Sequence, residues 1–188
     1  LIWALNMEIR QGTLVYRLLR PLHPLIAYAC ENLAAIPLRA VISLPVVLVL
    51  ALSSGATRLS AEPARWLLFP VAVAGAWAIT FLAMSVVGAL AFRVESAGSV
   101  FEIWMGLFGV FSGYLVPLDL FPPWLGALSR VLPFRYMLAF PVELVTGLLP
   151  RERILADLAA QWGFVAGLLF LALLAWQRGL RRFSAVGG

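Results

Sequence analysis

Catalysis needs a nucleophile, a base or a metal, and this chain is poor in the residues that supply them. His23 is its one histidine and Cys30 its one cysteine. An HExxH zinc site, a multi-cysteine metal site and an internal disulfide are thereby excluded. Ser85 and Ser112 have no histidine in a plausible span to activate them. His23 sits between Pro21 and Pro24 and reads as an interfacial polar residue. All 14 basic residues are arginine, so neither a P-loop lysine nor a lysine Schiff base is available. Glu31, Glu95, Glu102, Asp119, Glu143 and Asp157 fall mostly at the ends of apolar segments or in loops. A proton-coupled carrier would place a carboxylate near mid-membrane, and the pattern offers none. No catalytic residue, cofactor or metal site is expected.

The elements that carry these residues are set by composition. Of 188 residues, 63% are hydrophobic and 12% charged, with a mean hydropathy of +0.97. Soluble domains carry about 45–50% apolar and about 25% charged residues. The chain is therefore read as an integral membrane protein. Its net charge of +5 and pI near 10.3 are explained by arginines flanking hydrophobic spans, so no nucleic-acid partner is expected.

The pattern predicts an all-α, polytopic helical bundle with about four full transmembrane helices in one domain over residues 1–188. The spans fall near 32–53, 66–92, 100–117 and 156–177. Trp66 to Phe92 is uncharged throughout; at 1.5 Å per residue it covers roughly 40 Å, enough for a ~30 Å hydrocarbon core. Pro37 and Pro45 are expected to bend the first span, and Arg39 inside it to snorkel to the interface. Residues 7–20 place Arg10, Arg17 and Arg20 on one side and Leu14 and Leu18 on the other. That pattern suits an amphipathic helix in the membrane–water interface, in contact with lipid. Residues 54–65 and Arg93–Ser96 are polar breaks. Residues 118–150 are apolar but cut into short pieces by Pro122, Pro123, Pro133, Pro141 and Pro150. Such pieces suit a re-entrant or external helical hairpin, with Asp119 or its turn capping a helix that starts at the double proline.

Small residues mark close packing. Gly109 and Gly113 form one GxxxG pair and Gly163 and Gly167 another; Ala72, Ala76, Ser85 and Ala89 line the second span. Leu1 to Leu5 reads as the tail of an apolar segment, so N-terminal truncation is expected. The dense arginines near both ends place both termini in the cytoplasm.

EIRQGTLVYRLLRPLHP, followed by an apolar span, resembles the segment after the second span of ABC-2-type transporter permeases. FSGYLVPLDLFPPWLGALSRVLPFRYMLAFPVEL resembles the late part of the same family, where a span ends in Gly and Pro and leads into a broken hairpin. The resemblance covers nearly the whole chain. It implies the membrane subunit of an ATP-driven exporter in the bacterial inner membrane, paired with a second permease subunit (homo- or heterodimer) and served by separate ATPase subunits. Glu8, Arg10, Gly12, Arg17 and Arg20 would lie on the helix that couples to an ATPase. Asp119, Pro122, Pro123, Arg135 and Glu143 would belong to the external hairpin over the translocation path. The family has about six spans, so the first and most of the second would be missing here. A non-transporting membrane scaffold or assembly factor is the alternative.

Overall fold

The computed structural model describes residues 2–50, 52, 59–90 and 97–186. It divides into two compact units, Leu1–Leu59 and Ser60–Gly188. Every regular element among the described residues is helical. Residues 54–58 of the polar loop expected at 54–65, and the break at Arg93–Ser96, lie outside the described residues.

In the first unit, α1 (Ile2–Gln11) and α2 (Leu14–Leu18) replace the single helix expected over 7–20. Gly12 follows α1 at φ +71 and donates its N–H to the Ile9 carbonyl at 3.3 Å. Glycine enters this left-handed region without a Cβ clash, so the chain turns here instead of continuing. His23 caps α3 (Pro24–Ala34): its Nδ1 accepts the Leu25 N–H at 3.3 Å, and Pro24 fills the first turn. Proline is suited to that position because its missing N–H would have no helical partner. α4 (Ile36–Leu50) follows at once. The seam at Ala35 lies two residues before Pro37, which has no N–H to offer the Leu33 carbonyl. Together these helices contain an apolar run, Pro24–Val46, long enough to cross a membrane. This apolar helical run starts at Pro24, upstream of the start expected near residue 32.

The second unit is built on α5 (Pro63–Leu90) and α9 (Arg151–Val186), both of membrane-crossing length. Glu62, just before α5, bonds Arg151 at the start of α9, and Gln161 of α9 reaches Ala72 of α5. The two helices therefore run parallel, with their N-termini at one end. Between them in sequence come α6 (Ala97–Phe111), α7 (Pro123–Val131) and α8 (Ala139–Thr146), with 310 turns at Leu118–Leu120 and Pro133–Met137.

α6 has 15 residues, or about 22 Å, short of a ~30 Å core. Among the described residues, three apolar helical stretches are long enough to cross a membrane. The span expected over 100–117 stops at Phe111 because Gly113 turns the chain at φ +83. The broken character expected of 118–150 is present as short helices and turns.

Lipid tails are as apolar as leucine, so packing rather than transfer from water holds such a bundle together. Ala72, Ala76, Ser85 and Ala89 are all buried along α5. Ala72 and Ile79 join Tyr136, Phe140, Leu144 and Ile154 in one core cluster. Trp104 stacks on Phe108 at 5.7 Å and tilts against Phe134 at 5.8 Å, which ties α6 to the 310 turn at Pro133–Met137.

Candidate functional site

The N-terminal unit converges on Arg17. Its guanidinium bonds Glu8 of α1 at 2.8 and 2.9 Å and Glu31 of α3 at 2.7 Å. The Tyr28 hydroxyl donates to Glu8 at 2.6 Å, and the Arg17 guanidinium lies 4.2 Å from the Tyr28 ring centre. One side chain on a five-residue helix therefore holds α1 and the first apolar helix together. Burial pushes the Glu8 carboxyl up, but its bonds from Arg17 and Tyr28 outweigh this and hold it below its ordinary value. Arg17 is raised above its ordinary value by its bonds to Glu8 and Glu31.

The sequence places Arg17 on a basic face open to a partner; the structure turns it inward onto two carboxylates. Arg20 follows α2 and is exposed. Arg10 lies on α1, and Gly12 is the turn itself. The pairing of Glu8 with Arg17 is set by the Gly12 turn, which brings the second helix back on the first. The role of His23 as a cap was equally hidden, although His-Pro before an apolar run is a usable start signal.

A second charged constellation lies where the hairpin meets α9. Arg135 is 7% exposed and Asp157 5%. Arg135 contacts Asp157 at 3.3 Å and also bonds Glu143. Burial works against the charged Arg135, but the carboxylates of Glu143 and Asp157 outweigh it and raise its pKa. The sequence singled out Arg135 and Glu143 and the structure joins them. Asp157, their buried partner from α9, stands in the sequence only as a carboxylate near a span end.

Asp119 lies in the 310 turn Leu118–Leu120. The N-cap of α7 is Pro122; the side chain of Asp119, expected to cap there, lies outside what the structure describes. Pro123 occupies the first turn, as the double proline suggests. A cavity of about 320 Å³ opens beside the hairpin, with Arg130, Arg135, Glu143 and Arg153 in its lining. A second, of about 230 Å³, includes Ser112, Gly113 and Val142 and shares Leu118 and Glu143 with the first.

Further contacts fix this end of the unit. Arg65, 4% exposed, donates to the Leu149 carbonyl at 2.8 Å and to Glu62 at 3.1 Å. The bond from Arg151, then that from Arg65, hold the Glu62 carboxyl below its ordinary value despite some desolvation. The Ser60 N–H donates to the Val145 carbonyl at 2.9 Å.

The glycine pairs are placed differently from one another. Gly113 is a turn, and a Cβ at Gly109 would lie 3.0 Å from Leu115, a near neighbour in the chain. A Cβ at Gly163 or Gly167 meets nothing within 4 Å. The tight approach inside this chain is instead at Gly75, where a Cβ would lie 2.6 Å from the Gln161 side chain. Gln161 is fully buried and donates to the carbonyls of Ala72 and Tyr136 at 2.8 and 3.0 Å.

Membrane-length apolar helices joined by a broken hairpin define a multi-pass membrane protein. The family model described as ABC-2 family transporter protein matches residues 2–187. The chain belongs to that family and is a transmembrane permease of the ABC transporter class. No curated protein and no solved structure matches it.

Proposed function

We propose that this permease forms the translocation path of an exporter in the bacterial cytoplasmic membrane. In this reading residues 1–188 act as one transmembrane permease domain, paired with a second permease subunit. Separate ATPase subunits supply the energy. Family membership over 2–187 supports the transport role. The observation that carries the coupling is the Arg17 hub: α1, α2 and α3 share one guanidinium. A displacement of α1 and α2 by a closing ATPase would pull on Glu31 and hence on the span Pro24–Val46. Glu8, Arg10, Gly12, Arg17 and Arg20 form this coupling segment; Arg20 and the exposed Tyr16 are its outward contacts. The hairpin carrying Asp119, Pro122, Pro123, Arg135 and Glu143 lies over the external mouth of the path. Gly163 and Gly167, open within one chain, suit close approach of the second permease subunit.

The test is co-purification in mild detergent followed by ATPase assay. Arg20→Glu should weaken capture of the ATPase while the permease still folds. Arg17→Gln should retain capture and reduce coupling of hydrolysis to transport. Full capture and full transport in both variants would make the segment a lipid anchor and favour a scaffold.

A further inference from the structure

We infer that the cavity beside the hairpin binds a phosphate group, with Arg130 and Arg153 as its principal ligands. Among the described residues, Arg130, Arg135 and Arg153 line the cavity together with one carboxylate, that of Glu143. Arg135 is already committed to Glu143 and to Asp157 behind it. Arg130 and Arg153 are exposed and make no ion pair with any described residue. They come from different elements, the last turn of α7 and the first turn of α9, and lie on the wall of one cavity.

A carboxylate is satisfied by one arginine fork. A tetrahedral phosphate presents oxygens to two forks arriving from different directions, and arginine is the side chain suited to that geometry. The start of α9 contributes its positive dipole end at the same wall, where Pro150 and Arg153 line the cavity. At about 320 Å³ the cavity is at the small end of ligand sites. It suits a phosphate and its immediate substituent rather than a whole drug-sized molecule. The remaining lining is apolar at Leu118, Phe121, Leu148 and Leu149, which suits a phosphate on an apolar carrier. The inference goes beyond the proposed export role and does not depend on an ATPase.

The test uses the full chain in a neutral detergent, without an ATPase. Two probes are titrated: inorganic phosphate, and phosphatidylglycerol in mixed micelles against phosphatidylcholine as the uncharged control. Saturable binding of at least one anionic probe is expected, weakened about tenfold or more in the double variant Arg130→Gln/Arg153→Gln, because two charge-assisted forks are lost. Both side chains are exposed, so this variant should keep the parent's unfolding temperature. The double lysine variant, Arg130→Lys/Arg153→Lys, should fall between the two. Arg178→Gln, which leaves the cavity lining intact, should bind as the parent does. Displacement of the lipid by inorganic phosphate would assign the site to any phosphate group, and resistance to displacement would assign it to a lipid headgroup. Binding that is insensitive to the double variant, or equally weakened by Arg178→Gln, overturns the inference, as does the absence of saturation with both probes.

Discussion

A methyl group at Gly75 would lie 2.6 Å from the Gln161 side chain. Gln161 would have to leave the carbonyls it bonds on Ala72 and Tyr136. Gly75→Ala should therefore destabilise the fold by about 1–3 kcal/mol, the usual range for overpacking. Gly163→Ala, with open space around it, should stay close to the parent in thermal unfolding. Equal unfolding temperatures for the two variants would contradict this placement. Both glycines stand in apolar runs, and nothing in the sequence marks which one faces a buried glutamine. Glu8 has a pH consequence of defined sign. Its folded-state pKa lies below the ordinary 4.5, so its contribution is complete above about pH 4.5 and is lost as the pH falls through the folded value. Glu62 shifts the same way. Glu8→Gln should thus flatten, not abolish, the acid loss of thermal stability below about pH 4.5. An unchanged acid profile would show that Glu8 contributes nothing.

Among the elements, the segment 2–18 shows most clearly what spacing can and cannot reveal. The basic and apolar faces were readable from Arg10, Arg17, Leu14 and Leu18. The turn at Gly12 was not, because an isolated glycine is tolerated inside many helices and its positive φ is a property of the fold. Gly12→Pro now breaks a turn rather than a helix interior: proline fixes φ near −65°, whereas the turn needs +71. The variant should part Glu8 from Arg17, and hydrogen exchange should show α1 losing protection. Unchanged protection of α1 would mean the Arg17 cluster does not hold it. The hairpin makes the same point. Its prolines announced short pieces, but not that Arg135 would reach Asp157 across the unit. Arg135→Gln strips the partner from a carboxylate that is 5% exposed; such a loss costs about 3–5 kcal/mol. Arg135→Gln/Asp157→Asn should recover part of it, measured as unfolding temperature in detergent. No recovery in the double variant would mean that the two charges are not coupled.

At the scale of the whole molecule, composition and the long uncharged run at Trp66–Phe92 were sufficient for an all-helical membrane protein. The number of full spans was less legible, since the turn at Gly113 shortens α6 inside an unbroken apolar stretch. Parallel α5 and α9 put Ala61 and Leu148 at one end of their unit. Ala61→Cys and Leu148→Cys should therefore react with an impermeant thiol reagent from one face of the membrane, and Ser184→Cys from the other. Labelling of Ala61→Cys and Leu148→Cys from opposite faces would contradict the parallel arrangement. In the proposed coupling, α1 and α2 meet an ATPase and transmit its motion through Arg17. Tyr16 is 71% exposed on α2, and Trp124 is 69% exposed on α7 at the hairpin. The most direct measurement is in-membrane photo-crosslinking from each position, with the captured protein identified by mass spectrometry. A nucleotide-binding subunit should be captured from Tyr16 and not from Trp124. Capture of lipid alone from Tyr16, or of the same subunit from both positions, would contradict it.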